Sequence, residues 1–177
     1  EQNIFSLGAE VDTAVLDNFV LSTALSYDLA TTPETGGRDA QEDLSDWAAS
    51  IAVRWNPGDA WQITGSLGQR TRFPSLRELY GEALGEFLVN PELRPENALL
   101  ADVTIERISQ DGQVRFRITP WTLHIDDALS LRNVTVDGVR YRQRYNMNGS
   151  DGYGVEAGAD WAIGDKLIVN LGIRYDV

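Results

Sequence analysis

The feature that most limits this chain is a two-residue alternation that keeps returning along its length. Phe19, Leu21, Thr23, Leu25 and Tyr27 alternate with Val20, Ser22, Ala24 and Ser26. Trp47, Ala49, Ile51, Val53 and Trp55 alternate with Ala48, Ser50, Ala52 and Arg54. The same pattern occupies 61–67, 153–161 and 167–175. Successive strand residues point to opposite faces, so this period predicts strands with one apolar side, not helices. Weaker alternation over 4–15, 98–108 and 113–125 brings the expected total to eight strands. In the last of these the phase changes: Phe116 and Ile118 share one parity, Trp121, Leu123 and Ile125 the other. A bulge at Pro120 is expected to bring both sets to one side.

Aromatic residues close the apolar rows. Phe19 and Tyr27, Trp47 and Trp55, and Tyr153 and Trp161 each stand eight positions apart. At roughly 3.3 Å per residue that is about 26 Å along a strand, or about 20 Å of height at a tilt of about 40°. The apolar band of a membrane barrel, with its aromatic girdles, is about 25 Å tall. The connections also alternate. Turn chemistry marks 16–18, 56–59, 109–112 and 163–166, while 31–44, 71–97 and 126–142 are long. Short turns on one rim and long loops on the other predict an all-β, antiparallel transmembrane β-barrel with short periplasmic turns and long extracellular loops. No apolar run is long enough for a membrane helix.

The net charge of −12 argues against nucleic acid as a partner, since phosphate binding needs a basic surface. Cysteine is absent, which excludes disulfides, zinc-thiolate sites and cysteine nucleophiles. One histidine, His124, leaves little room for a metal centre. Asp126, Asp127 and Ser130 lie near it, but no nucleophile elbow accompanies them, and a simple hydrogen bond to Asp126 on the same face accounts for the pair. No catalytic residue, metal site or cofactor is expected. The acidic stretch 33–43 offers oxygen ligands for calcium without the spacing of a calcium loop, and reads as a solvated loop.

The stretch Thr71–Asn97 is neither strand nor tight turn. Pro74, Pro91 and Pro95 stiffen it, and it carries Arg72-Phe73-Pro74-Ser75-Leu76, Glu78-Leu79-Tyr80 and Asn90-Pro91-Glu92-Leu93-Arg94-Pro95-Glu96. Further on come Ile125-Asp126-Asp127-Ala128-Leu129 and Gly152-Tyr153-Gly154-Val155-Glu156. In this order and spacing the set resembles the C-terminal barrel half of TonB-dependent outer-membrane receptors, over most of 47–177. The resemblance implies one incomplete domain, 1–177, from a barrel of about 22 strands. It further implies residence in the bacterial outer membrane among lipid and lipopolysaccharide. The implied activity is uptake of a scarce ligand such as a ferric siderophore, haem or cobalamin. TonB would act through a plug domain that has no counterpart in this sequence.

Two other architectures fit the strand pattern: an eight-stranded outer-membrane barrel with a structural or adhesive role, and a soluble β-sandwich binding module. Within the loop, Arg72, Arg77, Arg94 and Tyr80 are the candidate ligand-binding residues, because arginine suits carboxylate, phosphate or catecholate groups. The surrounding glutamates offer the same arginines ion pairs inside the loop. Arg140, Arg142 and Arg144 form a basic stripe on one strand face. They are expected at the lumen or rim in ion pairs, or against lipopolysaccharide phosphates.

Overall fold

The computed structural model describes residues 1–33, 35, 37, 42–82 and 85–177. Strands β1 (Asn3–Leu16) and β2 (Phe19–Thr31) are joined at Asp17-Asn18, and β3 (Leu44–Gly58) and β4 (Trp61–Arg72) at Asp59-Ala60. The chain then forms helix α1 (Leu76–Tyr80) and the short β5 (Phe87–Leu88) before β6 (Glu96–Ile108) and β7 (Val114–Asp126). A hairpin, β8 (Leu129–Val136) and β9 (Val139–Asn146), precedes β10 (Ser150–Ile163) and β11 (Leu167–Asp176). Eight strands make one antiparallel sheet in the order β1-β2-β3-β4-β6-β7-β10-β11. A second sheet, β5-β9-β8, sits in the long connections. All eight strands expected from the alternation are present. The connection expected over 126–142 contains β8 and part of β9 instead of plain loop.

Register turns the aromatic rows into cross-strand pairs. Phe19 stands opposite Trp55 and Tyr27 opposite Trp47, so the β2 and β3 rows meet at both ends. The Tyr27 and Trp47 rings lie 5.0 Å apart, tilted by 55°. Such pairs stabilise a sheet beyond their buried area.

Nothing among the described residues covers the apolar face. Trp47, Ile51 and Trp55 remain 57%, 45% and 41% exposed. A soluble sandwich would bury these side chains against a partner sheet about 10 Å away. The sandwich expectation therefore fails. The eight-stranded barrel fails as well, because β1 and β11 are the two edges of an open sheet and do not pair with each other.

The bulge expected at Pro120 is absent. Val155 pairs with Pro120 in an unbroken β7–β10 register. On the other side the β6–β7 ladder passes from Asp102 opposite Trp121 to Ile105 opposite Ile118 with no register shift. Pro120 removes a donor without inserting a residue, and the Thr104 and Thr119 hydroxyls bond across the gap at 2.9 Å. Trp121, Leu123 and Ile125 therefore stay on the polar face. Trp121 lies against Gly152 and Gly154 and beneath Arg174, whose guanidinium carbon is 5.5 Å from the indole.

Burial concentrates away from the sheet. Among the described residues the fully buried side chains are Leu79, Leu93 and Pro74, with Ala128, Ala30 and Thr32 also buried. Leu79, Leu93, Pro74 and Ala128 belong to the long connections, which form a small core of their own. The calcium reading of 33–43 rests on a stretch in which 34, 36 and 38–41 lie outside the described residues.

Candidate functional site

On the long-loop rim two connections grip each other: 73–95, between β4 and β6, and 127–149, between β7 and β10. The first is ordered from its own sequence. Ser75, extended at φ −74° and ψ 159°, caps α1. Its hydroxyl accepts from the Glu78 backbone N–H, and its own N–H donates to the Glu78 carboxylate at 2.8 Å. This reciprocal box satisfies donors that a five-residue helix would otherwise leave free. Gly81 ends the helix, donating its N–H to the Arg77 carbonyl at 3.0 Å. A Cβ there would collide with that carbonyl.

Arg72 leaves β4 with its guanidinium held from two sides. Nη1 donates to both Glu78 oxygens at 3.1 Å, and Nε pairs with Glu96. Partial burial pushes the Glu78 carboxyl up, but the Ser75 backbone N–H, the Ser75 hydroxyl and Arg72 outweigh it and hold the carboxyl below its ordinary range. Arg94 is held too, by Asp127 at 2.5 Å. Arg77 is exposed and has no ion-pair partner among the described residues, and Tyr80 is half-buried on the last turn of α1. Of the four candidate residues, the structure thus places two in ion pairs and two on α1.

The second connection docks on the first. The Arg94 N–H donates to Asn146 Oδ1 at 2.9 Å, and Asn146 Nδ2 donates to the Arg94 and Asp127 carbonyls at 2.9 and 2.7 Å. Asn90 Nδ2 donates to the Arg144 carbonyl at 3.0 Å, and the Leu129 N–H to Glu96 Oε1 at 2.6 Å. β5 lies parallel to β9, with Phe87 opposite Arg142. The guanidinium carbons of Arg142 and Arg144 lie 5.6 and 4.8 Å from the Phe87 ring centre.

The basic stripe differs from its expectation. Arg140, Arg142 and Arg144 do share a face, but on the hairpin and not on the eight-stranded sheet. No carboxylate pairs with them among the described residues. The alternating arginines were visible in the sequence; their ring partner Phe87, 55 residues before Arg142, had no sequence signal. His124 sits between Asp151 at 2.6 Å and Asp126 at 3.2 Å, so both ring nitrogens face carboxylates and no nucleophile. The expected contact with Asp126 is there, and Asp151 is added. Among the described residues no three His, Asp or Glu side chains converge as a metal site.

A single-layer antiparallel sheet, open at both edges, apolar and uncovered on one side and crowned by interlocked loops on one rim, defines a section of β-barrel wall. Residues 1–177 match the family described as TonB dependent receptor-like, beta-barrel, and the chain belongs to that family. Its members are outer-membrane transporters and not enzymes, which gives the chain its place in the bacterial outer membrane. Solved structures share the fold. The FrpB iron transporter from Neisseria meningitidis (F3-3 variant) is 20% identical with a TM-score of 0.76, over 99% of this chain and 25% of its own. A double mutant of the Serratia marcescens hemophore receptor HasR, in complex with its hemophore HasA and heme, is 15% identical with a TM-score of 0.82, over 99% of this chain and 34% of its own. A Pseudomonas aeruginosa ferric enterobactin receptor mutant (PfeA, Q482A) bound to enterobactin is 15% identical with a TM-score of 0.78, over 99% and 27%. This chain therefore spans about a quarter to a third of the length of these structures. No curated protein matches it.

Proposed function

We propose that this chain is one incomplete domain, a wall section of an outer-membrane receptor that imports a scarce ligand such as a ferric siderophore, haem or cobalamin. The observation that carries the reading is the uncovered apolar face ending in aromatic pairs. Acyl chains can cover such a face where water cannot. Strands of 13 to 15 residues, such as β2 and β3, exceed the roughly 9–11 needed to cross a bilayer, so they project beyond it. The tight turns then face the periplasm and the interlocked loops the outside, with lipopolysaccharide around the rim. Both free edges are continued by further strands of a barrel of about 22. A plug domain elsewhere in the receptor receives the TonB contact.

Within this reading Arg77 and Tyr80 present α1 to the ligand vestibule. Arg72 and Arg94 act by holding the loops in shape. The iron transporter, hemophore receptor and enterobactin receptor named above support a metal-chelate or haem ligand. The test is uptake of radiolabelled ferric chelates and haem by cells carrying the intact receptor. Uptake that disappears in cells lacking TonB is the expected result; accumulation indifferent to TonB would overturn it.

A further inference from the structure

We infer that Arg107, stacked on Trp61 at the tight-turn end of the sheet, is a binding site for the phosphate of a phospholipid in the periplasmic leaflet. The inference rests on the membrane reading and names what the uncovered face meets at that end.

Register assigns each charged strand residue to a face. Asp12, Arg54, Asp102, Arg117, Glu156 and Arg174 stand on the face opposite Ile51 and Val53. Among the described strand residues of this sheet, the charged ones on the Ile51 side are Arg107 near one end and His124, Asp126 and Asp151 near the other. Between Asn97 and Arg107 that side of β6 carries Leu99, Ala101, Val103 and Ile105. This distance is roughly 33 Å along the strand, or about 25 Å of height at a tilt of about 40°. The apolar band of a membrane barrel has the same height, so Arg107 stands where the headgroups of one leaflet begin. An arginine is costly at the bilayer centre but not at that depth.

Trp61 on β4 and Phe116 on β7 stand opposite Arg107 on either side, and both are exposed. The guanidinium carbon lies 5.2 Å from the Trp61 ring centre. Stacking engages one guanidinium face and leaves the in-plane N–H fork, which matches two phosphate oxygens. The carboxylates nearest in sequence are already engaged. Glu106 points to the other face and meets Arg115 at 3.5 Å. Asp111 accepts from the Ser109 hydroxyl and the Gln113 N–H within its own turn. No ion pair to Arg107 occurs among the described residues. A guanidinium without a protein anion, at the depth where every phospholipid carries a phosphate, takes its counter-ion from the lipid. Trp61 and Phe116 then flank the glycerol and upper acyl carbons of the same molecule.

The test places the intact receptor in vesicles of phosphatidylethanolamine and phosphatidylglycerol. A trace of the phosphatidylglycerol is photoreactive at its headgroup, and labelled peptides are mapped by mass spectrometry. Labelling should include 58–62 and 107–116. Arg107→Gln should lower it there by at least about fivefold, as expected for a lost charge-assisted pair, with heat-resistant gel mobility unchanged. Trp61→Leu, which keeps the charge and removes the stacking ring, should lower it by about two- to threefold. A diacylglycerol with the same photoreactive group and no phosphate should label wild type and Arg107→Gln alike. Unchanged phosphatidylglycerol labelling in Arg107→Gln, or a phosphate-free lipid that labels this end as strongly, would overturn the inference. So would labelling of this end by a lipid A probe in native outer membranes, which would put the tight turns outside the cell. A further probe at the acyl-chain ends should label the peptides of Ile51 and Leu67. Its failure to do so would overturn the membrane reading, and this inference with it.

Discussion

Arg94 and Asn146, 52 residues apart, exchange two hydrogen bonds: the Arg94 N–H donates to Asn146 Oδ1 and Asn146 Nδ2 donates to the Arg94 carbonyl, both at 2.9 Å. A side-chain amide here copies what a neighbouring strand would do. It satisfies the backbone of a Pro-flanked segment that cannot enter a sheet.

Replacing Asn146 by Ala should therefore undock the two loops and leave the sheet alone. Three bonds are lost, counting the one to Asp127, at a cost of about 2 kcal/mol net of solvent compensation. Hydrogen exchange across 90–95 and 129–146 should speed up by roughly thirtyfold, while β2 and β3 keep their protection. Unchanged exchange in the loops would show that the β5–β9 pairing alone holds them.

Leu79 and Leu93 are fully buried under the same loops. Leu79→Ala should cost about 2–5 kcal/mol and open 73–95 to limited proteolysis. Cleavage confined to that connection, with heat-resistant gel mobility preserved, is the expected pattern. Loss of the whole barrel would mean that this small core is not separable from the wall.

The Glu78 carboxyl is held below its ordinary value of 4.5 by the Ser75 donors and Arg72. Its contribution to loop stability is thus complete above pH 4.5 and is lost as pH falls through the lower folded-state value. Proteolysis of 73–95 by an acid-active protease should accelerate below that range in the native receptor. In Glu78→Gln the loop should be looser at neutral pH, and its acid response should flatten. A steep acid response surviving in that variant would place the titration elsewhere.

Gly152 and Gly154 sit two apart on β10 beneath the Trp121 ring, and their tolerance should differ sharply. A Cβ on Gly154 would lie 2.5 Å from the Tyr175 carbonyl and 2.8 Å from the indole. On Gly152 it meets nothing nearer than 3.7 Å. Gly154→Ala should destabilise by about 1–3 kcal/mol, and Gly152→Ala should be near neutral. Equal melting behaviour of the two variants would mean that Trp121 moves freely off the strand.

Ile51 is at the middle of the Trp47–Trp55 row on the uncovered face. Ile51→Arg should cost about 2–4 kcal/mol if that face meets the bilayer centre, and Ala52→Arg, on the opposite face, far less. The amount of folded receptor recovered from outer membranes reads the difference. Equal recovery would argue against lipid on the Ile51 side.

The wall was legible because its rule is short-range. Alternation, aromatic row ends and turn chemistry are written within each strand, and all eight strands follow from them. The rim was harder. Ser75-Leu76-Arg77-Glu78 spells a capping box, and Asp137-Gly138, at φ 50° and 79°, is the residue pair a tight hairpin turn demands. The first signal sat inside a stretch whose prolines suggested loop, the second inside a long charged connection. The phase change at Pro120 invited a bulge because apolar residues were assumed to need the outer face. Gly154 on the neighbouring strand makes the room that lets Trp121 lie inward, a relation no local pattern carries. The pairing of Phe87 with β9 joins segments that only the fold brings together.

The two bare margins of the sheet carry a cost for any piece expressed by itself. Each of β1 and β11 offers a row of unsatisfied amides and carbonyls to whatever backbone arrives first. Within the larger barrel proposed above, that arrival would be supplied by tethered neighbours. A severed fragment would meet only copies of itself, and would grow side by side into ribbons.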